Sequence, residues 1–135
     1  MFDEIVLQSL LEQVADEDVE VERELDDEVI LTDGREYLVV NDRGRIEHAA
    51  NSIYEAFGYF NPSFIESATG LPSVLFTGEQ SFTADDVDRI LSSVGSDIES
   101  FTQEAVDADG YGHFLAGYDG MELELENGYY AYRRN

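Results

Sequence analysis

Residues 29–40 read Val29-Ile30-Leu31-Thr32-Asp33-Gly34-Arg35-Glu36-Tyr37-Leu38-Val39-Val40, two β-rich apolar runs separated by Asp-Gly. Such a pair marks a tight hairpin, because the primed two-residue turns need positive φ, which glycine supplies without steric cost. Upstream, Val19, Val21 and Leu25 alternate with Glu20, Glu22 and Glu24, the period of a half-buried strand. Before that strand, Ile5, Val6, Leu10, Leu11 and Val14 fall at helical spacing, with Asp3 and Glu4 where the helix dipole favours anions. The chain closes on a second hairpin. Met121, Leu123 and Leu125 alternate with Glu122, Glu124 and Glu126, which would line one face, and Asn127-Gly128 turns into Tyr129–Arg134.

The middle of the sequence returns to a period near 3.6. Ile46, Ala49, Ala50, Ile53, Tyr54 and Phe57 predict a central helix over 43–59. Asn61-Pro62 reads as an N-cap with proline in the first helical position, and Gly70 and Pro72 end that short helix. Residues 71–82 read as irregular, anchored by Leu75 and Phe76. Thr83 with Asp86, and Ser96 with Glu99, place an acid three residues after a cap, the second matching the capping-box pattern. They predict helices over 84–94 and 97–108, with Gly95 between them and Gly110 closing the second. The order hairpin, helices, hairpin predicts an α+β fold. It is expected as a single compact domain over 1–135, a small, mostly antiparallel sheet of two hairpins against a helical layer, with residues 1–35 as an added N-terminal helix and strand.

The 135 residues include 31 acids, seven arginines, no lysine and no cysteine, for a net charge of −24. With 43% hydrophobic residues, including eight Tyr and eight Phe, the chain is too apolar for a disordered acidic tail. Apolar stretches are only a few residues long, which predicts no signal peptide, no spanning helix and a cytoplasmic protein. The absence of cysteine excludes disulfides, thiolate metal sites and a thiol nucleophile.

The charge is bimodal: −12 over residues 1–36, −2 over 37–78 and −12 over 79–126, with Arg133 and Arg134 at the end. A globule of this length has a diameter of roughly 37 Å, over which duplex DNA carries about 22 charges. The match makes imitation of a nucleic-acid backbone one reading of the composition. The other is adaptation to molar salt, where lysine is depleted and acids keep the surface hydrated. A GC-rich genome would thin out Phe and Tyr, which are abundant here.

No catalytic constellation stands out. His48 and His113 are 65 residues apart without cysteine partners, so satisfied or surface histidines fit better than a metal site. Asp107-Ala108-Asp109-Gly110-Tyr111-Gly112 begins like a calcium loop but would place Tyr111 and Tyr118 at ligand positions five and twelve. There is no P-loop, no G-x-G-x-x-G and no G-x-S-x-G. These absences predict a non-enzyme without cofactor or metal, and the scarcity of cations predicts no direct nucleic-acid binding. The loop Asp109–Gly120, with four glycines and the anchors Phe114, Leu115 and Tyr118, is expected to be a structural corner with His113 as a hydrogen-bonding strut. Arg133 and Arg134 beside Tyr129, Tyr130 and Tyr132 read as an edge strand pairing with Glu122, Glu124 or Glu126.

The run Asp109-Gly110-Tyr111-Gly112-His113-Phe114-Leu115-Ala116-Gly117-Tyr118-Asp119-Gly120, then Glu122 and the ending Tyr130-Ala131-Tyr132-Arg133-Arg134-Asn135, resembles small acidic proteins of tailed phages and prophages. Glu36–Val40 and Phe60–Ile65 look like the E-Y-L-V-L strand and F-N-x-x-F-I segment of that family. Residues 1–35 have no counterpart in it, and Tyr111 stands where the family usually carries Arg. The resemblance implies a viral or mobile-element origin and a host-directed accessory role, with no biochemical activity attached.

Together these features predict an acidic accessory protein that binds a basic surface of a host nucleic-acid-handling or defence protein, as a DNA mimic in the strongest form. The expected contact residues are Glu20, Glu22, Glu24, Asp26, Asp27, Glu28, Asp85, Asp86, Asp88, Glu122, Glu124 and Glu126. The alternative is a halophile-adapted interaction domain whose acids serve solubility. Monomer and homodimer are equally compatible with the sequence.

Overall fold

The computed structural model describes residues 2–76 and 82–135. In chain order its elements begin α1 (Glu4–Val14), β1 (Val21–Leu25), β2 (Glu28–Leu31), β3 (Glu36–Asn41) and α2 (Asp42–Ala56). They continue with α3 (Pro62–Thr69), α4 (Ala84–Ser93), α5 (Ile98–Asp109), α6 (Tyr111–Leu115), β4 (Leu123–Glu124) and β5 (Tyr129–Arg133). The fold is α+β with an antiparallel sheet. Two compact units form: Met1–Arg45 with Tyr111–Asn135, and Ile46–Gly110.

The first unit holds a five-stranded open sheet of order β1-β2-β3-β5-β4, antiparallel throughout. In β3 the run Tyr37, Leu38, Val39 and Val40 is buried on both faces. On one face Val29, Leu31, Tyr37, Val39 and Ala131 pack with Val6 and Leu10 of α1. On the other, Leu38, Val40 and Tyr132 pack with Leu115 and Ala116 at the end of α6. Full burial of each such Val or Leu contributes roughly 1.5–3 kcal/mol, which is why two short helices suffice to cover this sheet.

The sheet holds three hairpins where the sequence predicts two, and the turns depart from that reading in instructive ways. Between β2 and β3, Leu31 N–H donates to the Arg35 carbonyl at 2.9 Å and Gly34 N–H to the Leu31 carbonyl at 3.0 Å. Only Gly34 has positive φ, +93°, so this is a three-residue loop rather than a two-residue primed turn. The cause is Asp33, whose carboxylate accepts from Arg35 N–H at 3.1 Å and Arg35 Nε at 2.8 Å, closing a local turn at negative φ. Between β1 and β2 lies a two-residue turn, Asp26-Asp27, with Asp26 at φ +50°. No glycine or asparagine announces it. In the last hairpin Asn127 and Gly128 both take positive φ as expected, but β4 spans two residues instead of six and leaves Met121 59% exposed.

The second unit is helical and built on phenylalanine. Phe57, 1% exposed, meets the rings of Phe82 and Phe101 at 5.5 Å and of Phe76 at 6.1 Å. Ile53, Ile65, Val87 and Leu91 are buried in the same unit. The predicted central helix stops at Ala56 and tightens into a 3₁₀ turn over Phe57–Tyr59. Asn61 caps α3 as expected, accepting from Ser63 N–H at 2.9 Å, with Gly70 closing the helix. Of the two expected anchors in 71–82, Phe76 is buried and Leu75 is 54% exposed, while 77–81 lies outside the described residues.

The Thr83–Asp86 capping box forms. The Ser96–Glu99 box does not: the cap of α5 is Asp97, which accepts from Ser100 N–H at 2.8 Å. Ser96 is already engaged, its N–H donating to the Leu91 carbonyl while Gly95 N–H donates to that of Ser92, the paired closure that ends α4.

The expected corner over 109–120 contains α6. Its tightest point is Gly112, where a Cβ would lie 2.1 Å from the Gly120 carbonyl oxygen, so no side chain fits. His113 is exposed, with Phe114 against its ring edge-on at 4.9 Å. It makes no hydrogen bond among the described residues, so it is not the expected strut; the close Gly112–Gly120 approach and buried Leu115 hold the corner instead.

Candidate acidic interface

The first unit carries 19 acids against six arginines, or −13, and the second 12 acids against Arg89 alone, or −11. The expected contact acids fall in three places. Glu20 to Glu28 lie on or beside β1, at one edge of the sheet; Glu122 to Glu126 lie around β4, at the opposite edge. Four strand spacings separate those edges, about 19 Å. Asp85, Asp86 and Asp88 belong to α4 of the second unit.

A bulge between Val21 and Arg23 rearranges the first group. Val21 pairs with Leu31 and Glu24 with Val29, so both point to the face covered by α1, and Leu25 is left 46% exposed. The alternation therefore inverts beyond the bulge, because one extra residue swaps the faces. Glu24 is half-buried and accepts from Phe2 N–H at 3.0 Å, tying the start of the chain to the strand. Glu20, Glu22, Asp26 and Asp27 are exposed and Glu28 is half-buried.

At the opposite edge the three glutamates do not form one solvated row. Glu122 Oε1 accepts from Arg45 Nη1 at 2.9 Å and from the Tyr132 hydroxyl in a very short hydrogen bond. Arg45 also pairs with Asp42 at 2.9 Å, and its guanidinium carbon sits 3.9 Å from the ring centre of Tyr130 and 4.3 Å from that of Tyr111. This places an arginine between two aromatic faces, the favoured geometry for cation–π attraction. Burial opposes the Arg45 charge, but the Tyr132 and Glu122 hydrogen bonds favour it and the net shift is upward. Burial, followed by the bond to Glu122, holds the Tyr132 phenol above the ordinary tyrosine range. Glu124 is exposed, and Glu126 occupies the turn, its N–H donating to Ser9 Oγ at 3.2 Å.

In the second unit Asp85 is exposed, but Asp86 completes the α4 cap, and hydrogen bonds from Thr83 hold its carboxyl below the usual carboxylate range. Asp88 accepts from the Tyr54 hydroxyl at 2.6 Å, and burial with that bond pushes the phenol up to about 12. Glu24, Asp86, Asp88 and Glu122 thus each serve a contact inside the fold.

Arg35, Arg45 and Arg133, three of the six arginines of the first unit, are engaged within it. Arg35 donates to Asp33 and to the Val14 carbonyl at 2.7 Å. Arg133 stacks on Tyr118 at 3.8 Å and donates to the Asn135 carbonyl, not to a glutamate of β4 as expected. Among the described residues no group of three or more His, Asp or Glu is placed to hold a metal, and no helix is long and apolar enough to cross a membrane.

One feature absent from the sequence reading is an open cleft of about 460 Å³ between α1 and the final hairpin, lined by Glu4, Ile5, Gln8, Ser9, Glu12 and Glu126. Glu4, Gln8 and Glu12 follow one another at intervals of four, a stripe legible in the sequence; that Glu126 faces it is a tertiary fact. No protein-family model, no curated protein and no solved structure matches this chain.

Proposed function

We propose that this protein is a non-enzymatic, strongly acidic accessory protein of viral or mobile-element origin that binds a basic surface on a host protein handling nucleic acid. The observation that carries the reading is the asymmetry of charge use. The arginines Arg35, Arg45 and Arg133 are tied to groups of their own unit, while Glu20, Glu22, Asp26, Asp85, Glu124 and Glu126 stay exposed. An uncompensated anionic surface of this kind attracts cationic partners at long range, with steep dependence on salt.

Magnitudes limit how literal the mimicry is. From Glu20 to Asp26 the chain carries four acids and Arg23, a net −3 over about 20 Å of extended backbone. One DNA strand carries about six charges over that length. The edge strand supplies half of that density and needs the turn acids Asp27 and Glu28 to approach it.

The test is capture from host lysate on the immobilised protein at about 0.1 M salt, followed by elution with duplex DNA or higher salt. Nucleic-acid-handling proteins released by both are the expected result; recovery of none overturns the proposal. A second reading, a surface adapted to high salt, draws support from the spread of acids over both sheet edges and α4. It requires a substantial rise in Tm between about 0.1 M and about 3 M KCl, where screening is nearly complete.

A further inference from the structure

The cleft beside α1 combines features that the exposed acids elsewhere lack. Three carboxylates line it, from Glu4, Glu12 and Glu126, and no arginine pairs with them among the described residues. Ile5, 57% exposed, lines the same cleft and offers an apolar contact. The walls are fixed in place: Ser9 Oγ accepts from Glu126 N–H, and Gln13 Nε2 donates to the Glu124 carbonyl at 2.7 Å. A preformed site spares a partner the cost of ordering it.

We propose that this cleft seats a cationic, partly apolar segment of the partner protein, an inference that rests on the acidic-partner reading above and locates it. Charge complementarity selects the occupant. Nucleic acid and other anions are repelled, whereas Lys or Arg side chains find uncompensated carboxylates at both ends of the Glu4–Gln8–Glu12 stripe. Those ends are about 12 Å apart along the helix, a span that an extended segment covers in about four residues. An apolar side chain between two such cations covers Ile5. The cleft is open and about 460 Å³ in volume, a shape that receives an extended segment laid along α1. Exposed acids elsewhere, such as Glu20, Glu22 and Asp85, would attract the same segment without the preformed cleft, which is what separates a site from a field.

Fluorescence anisotropy tests this with two labelled peptides of equal charge, both with arginines four residues apart, one carrying leucine and the other serine between them. The intact chain is expected to prefer the leucine peptide. The pair Glu12→Gln with Glu126→Gln should weaken its binding roughly tenfold, and Ile5→Ser should erase the preference over the serine peptide. The pair Glu99→Gln with Glu104→Gln on α5 removes the same charge and should change the affinity less than about twofold. Equal weakening by both pairs overturns the cleft as a site while leaving the acidic-partner reading standing. Failure of both peptides to bind the unmutated protein at low salt overturns that reading, and the cleft with it.

Discussion

The two units carry nearly equal negative charge and build their cores from different aromatic side chains. The sheet unit contains six of the seven arginines and six of the eight tyrosines, while the helical unit contains Arg89 alone and six of the eight phenylalanines. Tyrosine presents a hydroxyl to a carboxylate and a ring face to a guanidinium. The sheet unit uses both, in Tyr132 with Glu122 and in Arg45 between Tyr111 and Tyr130. Phenylalanine offers only its ring, and in the helical unit rings pack on rings around Phe57. The sheet unit adds an arginine–tyrosine–glutamate cage to its apolar core, while the helical unit rests on packed rings and a Tyr54–Asp88 bond of that kind. An acidic protein thus reaches stability by two routes in one chain.

The largest effect that would break this comparison is at Phe57. Phe57→Ala should cost about 3–5 kcal/mol, because it empties the centre of the ring cluster. Hydrogen exchange should show faster exchange in α3 to α5 with β3 and β5 still protected; equal loss in both would mean that the units unfold as one. Gly112→Ala is the counterpart in the sheet unit. Its Cβ would overlap backbone at 2.1 Å, so a loss of about 3 kcal/mol, or roughly 10 °C in Tm, is expected.

The arginines give the sharpest contrast. Arg45→Ala removes two ring contacts and two ion pairs and should cost about 2 kcal/mol, whereas Arg89→Ala, at an exposed position, should stay within about 0.5. Equal effects in urea titrations would show that the arginine cage contributes nothing particular. At helix entries the contrast is finer: Asp97→Ala should lose about 1 kcal/mol and Ser96→Ala about half that or less, since only Asp97 accepts a capping bond.

The smallest effect concerns pH. Hydrogen bonds from backbone N–H groups, with further help from their local partners, lower the carboxyls of Asp33, Asp86 and Asp97 below their ordinary value. A depressed folded value stabilises the protein above the unfolded carboxylate range near pH 4, and that stability is lost as pH falls through the folded value. Self-repulsion of the −24 chain relaxes over the same descent. Between pH 7 and 5 Tm should therefore hold or rise, and below about pH 4 it should fall. Steady loss from pH 7 downward would show that specific carboxylate contacts outweigh repulsion throughout.

What the sequence determined by itself is whatever depends on neighbours along the chain. The apolar run of β3, the Asn61-Pro62 entry to α3 and the Thr83–Asp86 cap are each written in a few adjacent residues, and all formed as read. Local reasoning failed where a residue had two local uses: Ser96 closes α4 and so cannot open α5, and Asp33 binds Arg35 and so forgoes the primed turn. The tertiary structure alone decided the rest. The bulge at Glu22 depends on how β1 meets β2, and it turned Glu24 inward and Leu25 outward against the alternation. The partners of Glu122, 77 residues from Arg45 and 10 from Tyr132, and of Glu126, 117 residues from Ser9, exist only once the sheet has closed. A carboxylate looks the same in sequence whether it will be solvated, capping or paired, because its role is set by which donors the fold brings within about 3 Å.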